Sequence, residues 1–300
     1  MRALVAFLRL SRLVFLAGGF AGVALGAAVA ASEGRPLRAA TYAAAQVLVT
    51  AFQLMVHYAN DWFDRAGDAG GERRRKTPWS GGSRVLVDGT LPARTAGFAA
   101  GLCAALGLAV AAGFARAGNG AAAATGVAIG VLAWAYSAPP LRFAARGLGE
   151  VDAALVVGVL VPAVAYAAFA GRLDAALFEA TAAPFVAMLA MMLCVELPDA
   201  PADRLAAKRT LVVRTYPSCV WFAIAGLACV ALVEALAATL RHAPAIAVLA
   251  LIPAAAFAAR LVWLANRDPR PASFAFAGPG LSATVTAGLA AVYALAATAR

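Results

Sequence analysis

Nine apolar stretches, each long enough to cross a lipid bilayer as a helix, occupy most of this chain. They cover about 5–30, 39–59, 93–115, 119–137, 150–170, 175–197, 217–240, 243–264 and 277–298. Backbone groups in lipid must be satisfied within the segment, so spans of this kind fold as helices. The chain is 63% hydrophobic and 13% charged, with a mean hydropathy of +0.82, and its stretches lack the polar face of a helix lying against water. Ala, Gly, Leu and Val dominate them, and small residues suit close helix–helix approach. The expected fold is all-α: a polytopic transmembrane bundle of about nine helices, forming one integral-membrane domain over 1–300. The first stretch begins with arginines but exceeds the apolar core of a signal peptide, so a retained helix is expected.

Charge fixes the orientation. The net charge of +10 invites a nucleic-acid reading, but the apolar segments leave no basic domain to carry it, so no nucleic-acid partner is expected. The loops fall into two sets on opposite sides of a bilayer. One set, with the N-terminus, holds 19 of the 25 Lys and Arg residues and is therefore read as cytoplasmic. The expected location is the inner (cytoplasmic) membrane, crossed many times and embedded in its lipid. Cys103, Cys194, Cys219 and Cys229 are well separated and form no CxxC pair, so no disulfide framework or zinc site is indicated. Only His57 and His242 are present, which gives a zinc hydrolase little support.

The cytoplasmic side also gathers 11 of the 15 acids, which charge bias alone does not explain. Asn60, Asp64 and Asp68 stand at i, i+4 and i+8, with Asp61 three residues before Asp64, at the end of the second stretch. A helix projects such positions from one side. Glu196, Asp199 and Asp203 form a second stripe after the sixth stretch, although Pro198 and Pro201 disturb its regularity. Basic residues follow each stripe: Arg73–Lys76 and Arg84 the first, Arg204, Lys208 and Arg209 the second. Oxygen-rich sites with spare coordination suit Mg²⁺, which commonly bridges to phosphate oxygens, and Arg and Lys donors suit a diphosphate. A cation transporter is disfavoured because the acids cluster at helix ends and no internal repeat is evident.

At these residues the chain resembles the UbiA superfamily of intramembrane prenyltransferases. The family's NDxxDxxxD motif is similar to Asn60-Asp61-Trp-Phe-Asp64-Arg-Ala-Gly-Asp68, and its DxxxD motif to Asp199-Ala-Pro-Ala-Asp203. Ala135–Val151, AYSAPPLRFAARGLGEV, resembles its Tyr-Ser-x-Pro-Pro-Leu loop. Within the superfamily, GGSRVLVDGTL (Gly81–Leu91) and DRLAAKRTLVVR (Asp203–Arg214) look like the MenA branch, which prenylates 1,4-dihydroxy-2-naphthoate. Ala207 stands where that branch has Gly, and CVELPD replaces its Asn-Asn-x-Arg-Asp.

The resemblance implies transfer of a prenyl group from an isoprenyl diphosphate to an aromatic acceptor. It implies Mg²⁺ held through Asn60, Asp61, Asp64, Asp68, Asp199 and Asp203, with Asp61, Asp64, Asp199 and Asp203 catalytic. Diphosphate contacts would come from Asn60, Lys76, Arg84, Lys208 and Arg209. Tyr136 is the first candidate to shield the allylic cation, with Trp134, Trp62 and Phe143 behind it. 4-Hydroxybenzoate, homogentisate and tetrapyrrole acceptors compete with the naphthoate.

Overall fold

A computed structural model of the chain describes residues 2–69, 77, 79 and 82–299, with backbone alone at 66–69. Among the described residues there are helices and no strands, as expected. Nine are long and apolar enough to cross a membrane: Arg2–Ser32, Ala39–Arg65, Ala93–Arg116, Gly120–Ser137, Gly149–Ala170, Ala175–Leu205, Val220–His242, Ala245–Arg267 and Pro271–Thr298. These are called the first to ninth spans below. The chain is thus a multi-pass membrane protein. Its outer surface agrees with that: Phe98, Leu102, Phe222 and Ile246 point outward, an apolar exterior that only lipid tolerates.

Small residues set the helix spacing. A Cβ on Gly26 of the first span would fall 2.0 Å from the Pro162 carbonyl oxygen, so the first and fifth spans meet backbone to backbone. Gly158 likewise lets the fifth span meet the backbone of the sixth, where its Cβ would lie 2.6 Å from Phe185 Cα. Two large apolar clusters result, besides a small third one around Met188, Met191 and Met192. One is built largely from the second to fifth spans, the other from the sixth to ninth, and the first span contributes to both.

Three irregularities shape the space between them. The first span breaks at Arg12, whose φ of 48° and ψ of 49° are left-handed, between the helix Arg2–Ser11 and the short turn Leu13–Phe15. A π-helical turn, Val156–Leu160, interrupts the fifth span. The sixth span passes through the tight turn Leu197–Asp199 into the short helix Ala200–Leu205.

Candidate active site

Between the two clusters lies a cavity of about 510 Å³. Its inner wall is apolar, with Phe52, Ile129, Val157, Met188, Met191 and Pro279. Its mouth is polar and is built from both acidic stripes. From the second span come Asn60 and Asp64, which share a helix face; from the sixth come Glu196, Asp199 and Asp203. The stripes meet at one cation. Lys208 Nζ lies 3.3 Å from Asp64 Oδ2 and 3.4 Å from Asp203 Oδ1, and all three groups are largely buried.

The loop carrying Lys208 is shaped by a helix stop. After the helix Ala200–Leu205, the Ala207 N–H bonds to the Arg204 carbonyl and the Lys208 N–H to the Asp203 carbonyl. That pair of bonds is a Schellman stop, and it requires a left-handed residue at Ala207, whose φ is 56°. The reversal folds Lys208 back over Asp203. Further on, the Leu211 N–H donates to the Glu150 carboxylate, and the Arg209 N–H to the Ala145 carbonyl at 2.9 Å, so the loops after the fourth and sixth spans are bound together.

Asn60 is the hub of the first stripe. Its amide donates to Asp64 Oδ2 at 3.1 Å and to Ser137 Oγ at 3.0 Å, while its oxygen accepts from Arg12 at 3.3 Å. Asp61 is rotated about 100° from Asn60 around the helix. It is buried against the Arg12 guanidinium and accepts from Ser83 Oγ, with the Ser83 N–H 3.4 Å away. Arg142 adds a longer approach to Asp64, at 3.9 Å.

The model of the UbiA prenyltransferase family matches residues 19–297 of this chain. The chain belongs to the UbiA prenyltransferase family. A UbiA homologue from Archaeoglobus fulgidus, bound to GPP and Mg²⁺, superposes with a TM-score of 0.68 at 18% identity, over 96% of this chain and 99% of its own. A UbiA homologue from Aeropyrum pernix K1 gives 0.68 at 16% identity, over 91% and 96%. Digeranylgeranylglyceryl phosphate synthase gives 0.64 at 15% identity, over 99% and 100%. At such identities the likeness is one of fold. A comparison with curated protein sequences returned no significant match.

The UbiA fold brings most of the expected residues to one place. Asn60, Asp64, Arg84, Tyr136, Asp199, Asp203 and Lys208 line the cavity. Arg84 also stands 3.8 Å from Asp88, in a left-handed backbone conformation. Asp61 instead faces the first span and Ser83, and Arg209 is exposed away from the cavity. The backbone of Asp68 continues the second helix, whereas Lys76 lies outside the described residues. Among the second-rank aromatics, Trp134 meets Phe63 edge-on, Trp62 packs against Gly97, and neither they nor Phe143 reach the cavity.

Sequence reasoning passed over Arg12, His57, Trp79 and Phe15, all on the cavity wall. The available signal was the Ser11-Arg12 pair: an arginine inside an apolar run needs a partner.

Proposed function

We propose that this UbiA-family chain transfers a polyprenyl group from an isoprenyl diphosphate to 1,4-dihydroxy-2-naphthoate, a step of menaquinone synthesis, with its site on the cytoplasmic side of the cytoplasmic membrane. The carrying observation is the meeting of two Asp-rich stripes around one ammonium, at the polar mouth of an apolar cavity. The mouth suits a diphosphate and the inner wall an isoprenyl chain. The naphthoate reading is supported by the segments Gly81–Leu91 and Asp203–Arg214.

Mg²⁺ fits this donor set. Lys208 already marks a cation position between Asp64 and Asp203, and Asp199 lines the same mouth. Among the described residues no three His, Cys, Asp or Glu side chains are drawn together closely enough to hold a metal ion by themselves, so waters and the diphosphate would complete its shell. An open oxygen site is the kind Mg²⁺ occupies, since it keeps waters and bridges to phosphate. The A. fulgidus homologues bound to GPP or DMAPP together with Mg²⁺ support the same reading. Asn60, Asp64, Asp68, Asp199 and Asp203 would hold the ion, with Asp61 buttressing from behind. When bound, Mg²⁺ supplies neutralisation of the departing diphosphate charge.

The chain's own residues do the rest. Lys208 and Arg84 donate to the leaving group. Tyr136, Phe15 and Trp79 line the cavity with aromatic faces that favour an allylic cation, and the apolar wall keeps water from it. The test is purified protein in nanodiscs with Mg²⁺, a polyprenyl diphosphate and a mixed acceptor panel, with products read by mass spectrometry. A demethylmenaquinone-like product is expected from the naphthoate. Full turnover by Asp64→Asn and Asp199→Asn would sink the assigned site. A second acceptor is favoured by Glu196, on the cavity wall, and by Pro198, which replace the branch's Asn and Arg; product from 4-hydroxybenzoate alone would select it.

A further inference from the structure

The second span turns another polar group to the cavity, one that neither acidic stripe explains. His57 stands three residues before Asn60 on the cavity wall, half-buried, and about 10 Å deeper along the helix than Asp64. Its Nδ1 lies 3.0 Å from the Ser11 carbonyl oxygen. A carbonyl only accepts, so Nδ1 carries the hydrogen and Nε2 of the neutral ring presents a lone pair.

The break in the first span makes this possible. In a continuous helix the Ser11 carbonyl would be taken by the Phe15 N–H, four residues on. Here that N–H bonds to the Arg12 carbonyl at 3.0 Å, which leaves Ser11 free for His57. The Phe15 ring meets the imidazole edge-on at 5.7 Å and Trp79 at 5.3 Å. The ring is therefore clamped on one nitrogen and one edge. Toward the mouth, Arg12 and Asp61 pair with each other, and toward the interior the wall is Phe52, Val56 and Ile129.

We propose that His57 is the base of the transfer: its Nε2 accepts the hydroxyl proton of a hydroxylated aromatic acceptor seated beside Phe15 and Trp79. This rests on the prenyl-transfer reading above. The acceptor O–H bond breaks and its proton passes to Nε2. The electrons released into the ring form the bond from a ring carbon to C1 of the prenyl group. The C1–O bond breaks, and its electron pair leaves with diphosphate. The attacked carbon then gives its proton to the departed diphosphate, or releases carbon dioxide where it bears a carboxylate; the bonding pair left behind restores the aromatic ring, and the ring oxygen takes its proton back from Nε2.

His57→Asn tests this, because its side-chain N–H can still donate to the Ser11 carbonyl while nothing replaces Nε2. In nanodiscs, with 1,4-dihydroxy-2-naphthoate as the varied acceptor, kcat/KM for the acceptor should fall about 100-fold or more, while KM for the prenyl diphosphate stays within roughly threefold. His57→Gln, which keeps an oxygen near the Nε2 position but no basicity, should hold the acceptor KM and lose kcat. If His57→Asn proves unstable in a thermal melt, His57→Gln decides the question alone. Parent-like kcat in the stable variant overturns the inference, as does an equal loss of prenyl diphosphate affinity. A parent enzyme inactive on every acceptor overturns the prenyl-transfer reading and this inference with it; an active parent with active variants overturns only the inference.

Discussion

Replacing Lys208 by Met isolates what holds the two stripes together. Its ammonium sits 3.3 Å from Asp64 and 3.4 Å from Asp203, and neither carboxylate is more than 17% exposed. Removing one partner of a buried charge pair costs about 3–5 kcal/mol, because the remaining charge is left uncompensated. Here two carboxylates lose the same cation, but the mouth is wetter than a core, so the low end, about 3 kcal/mol, is the fair value. At roughly 2–4 °C per kcal/mol, the melting temperature in chelator should drop by about 6–12 °C. Millimolar Mg²⁺ should restore a good part of that drop, since a cation binding only the folded state stabilises it by mass action. Differential scanning fluorimetry of parent and variant, each with EDTA and with Mg²⁺, gives the four melting points. An equal drop in both conditions would refute the idea that the ammonium occupies a cation position. No drop in chelator would refute the ion-pair argument itself.

Ala207→Gly should stabilise the protein by about 1 kcal/mol, because a left-handed alanine carries strain that glycine lacks; the melting temperature reads it, with transfer activity unchanged. Ser83→Ala removes a donor from the buried Asp61 carboxylate and should cost about 1.5–3 kcal/mol in the same assay. Gly26→Ala pushes a methyl against the Pro162 carbonyl, so a loss of about 1–3 kcal/mol is expected, with the first and fifth spans forced apart.

The spans and both stripes were legible because their signals are local. Twenty apolar residues in a row, or acids at i and i+4, need no knowledge of the rest of the chain. Asp61 shows the limit of such reading. It belongs to the same motif as Asp64, yet the 100° turn per residue sends it to Arg12 and Ser83, partners distant in sequence. The break at Arg12 was not legible either, since one left-handed residue leaves no mark in a hydropathy pattern. His57 escaped for a related reason. Its role depends on which nitrogen carries the hydrogen, and that is set by a carbonyl 46 positions earlier in the chain.

The second stripe shows how a sequence irregularity becomes part of the site. Pro198 and Pro201 argue against a regular helix through Glu196, Asp199 and Asp203, and the helix does change character there. Both prolines fall in the first turn of a new element, where the missing N–H would have no intrahelical partner in any case. The tight turn Leu197–Asp199 thus restarts the helix, and all three acids still line the cavity. The restarted helix is only six residues long, so its stop at Ala207 comes one turn after Asp203. A regular continuation of the sixth span would carry Lys208 onward along the helix, away from Asp203. The prolines that disturb the stripe thus stand at the start of the short helix, and its Schellman stop at Ala207 folds Lys208 back between the two sets of carboxylates.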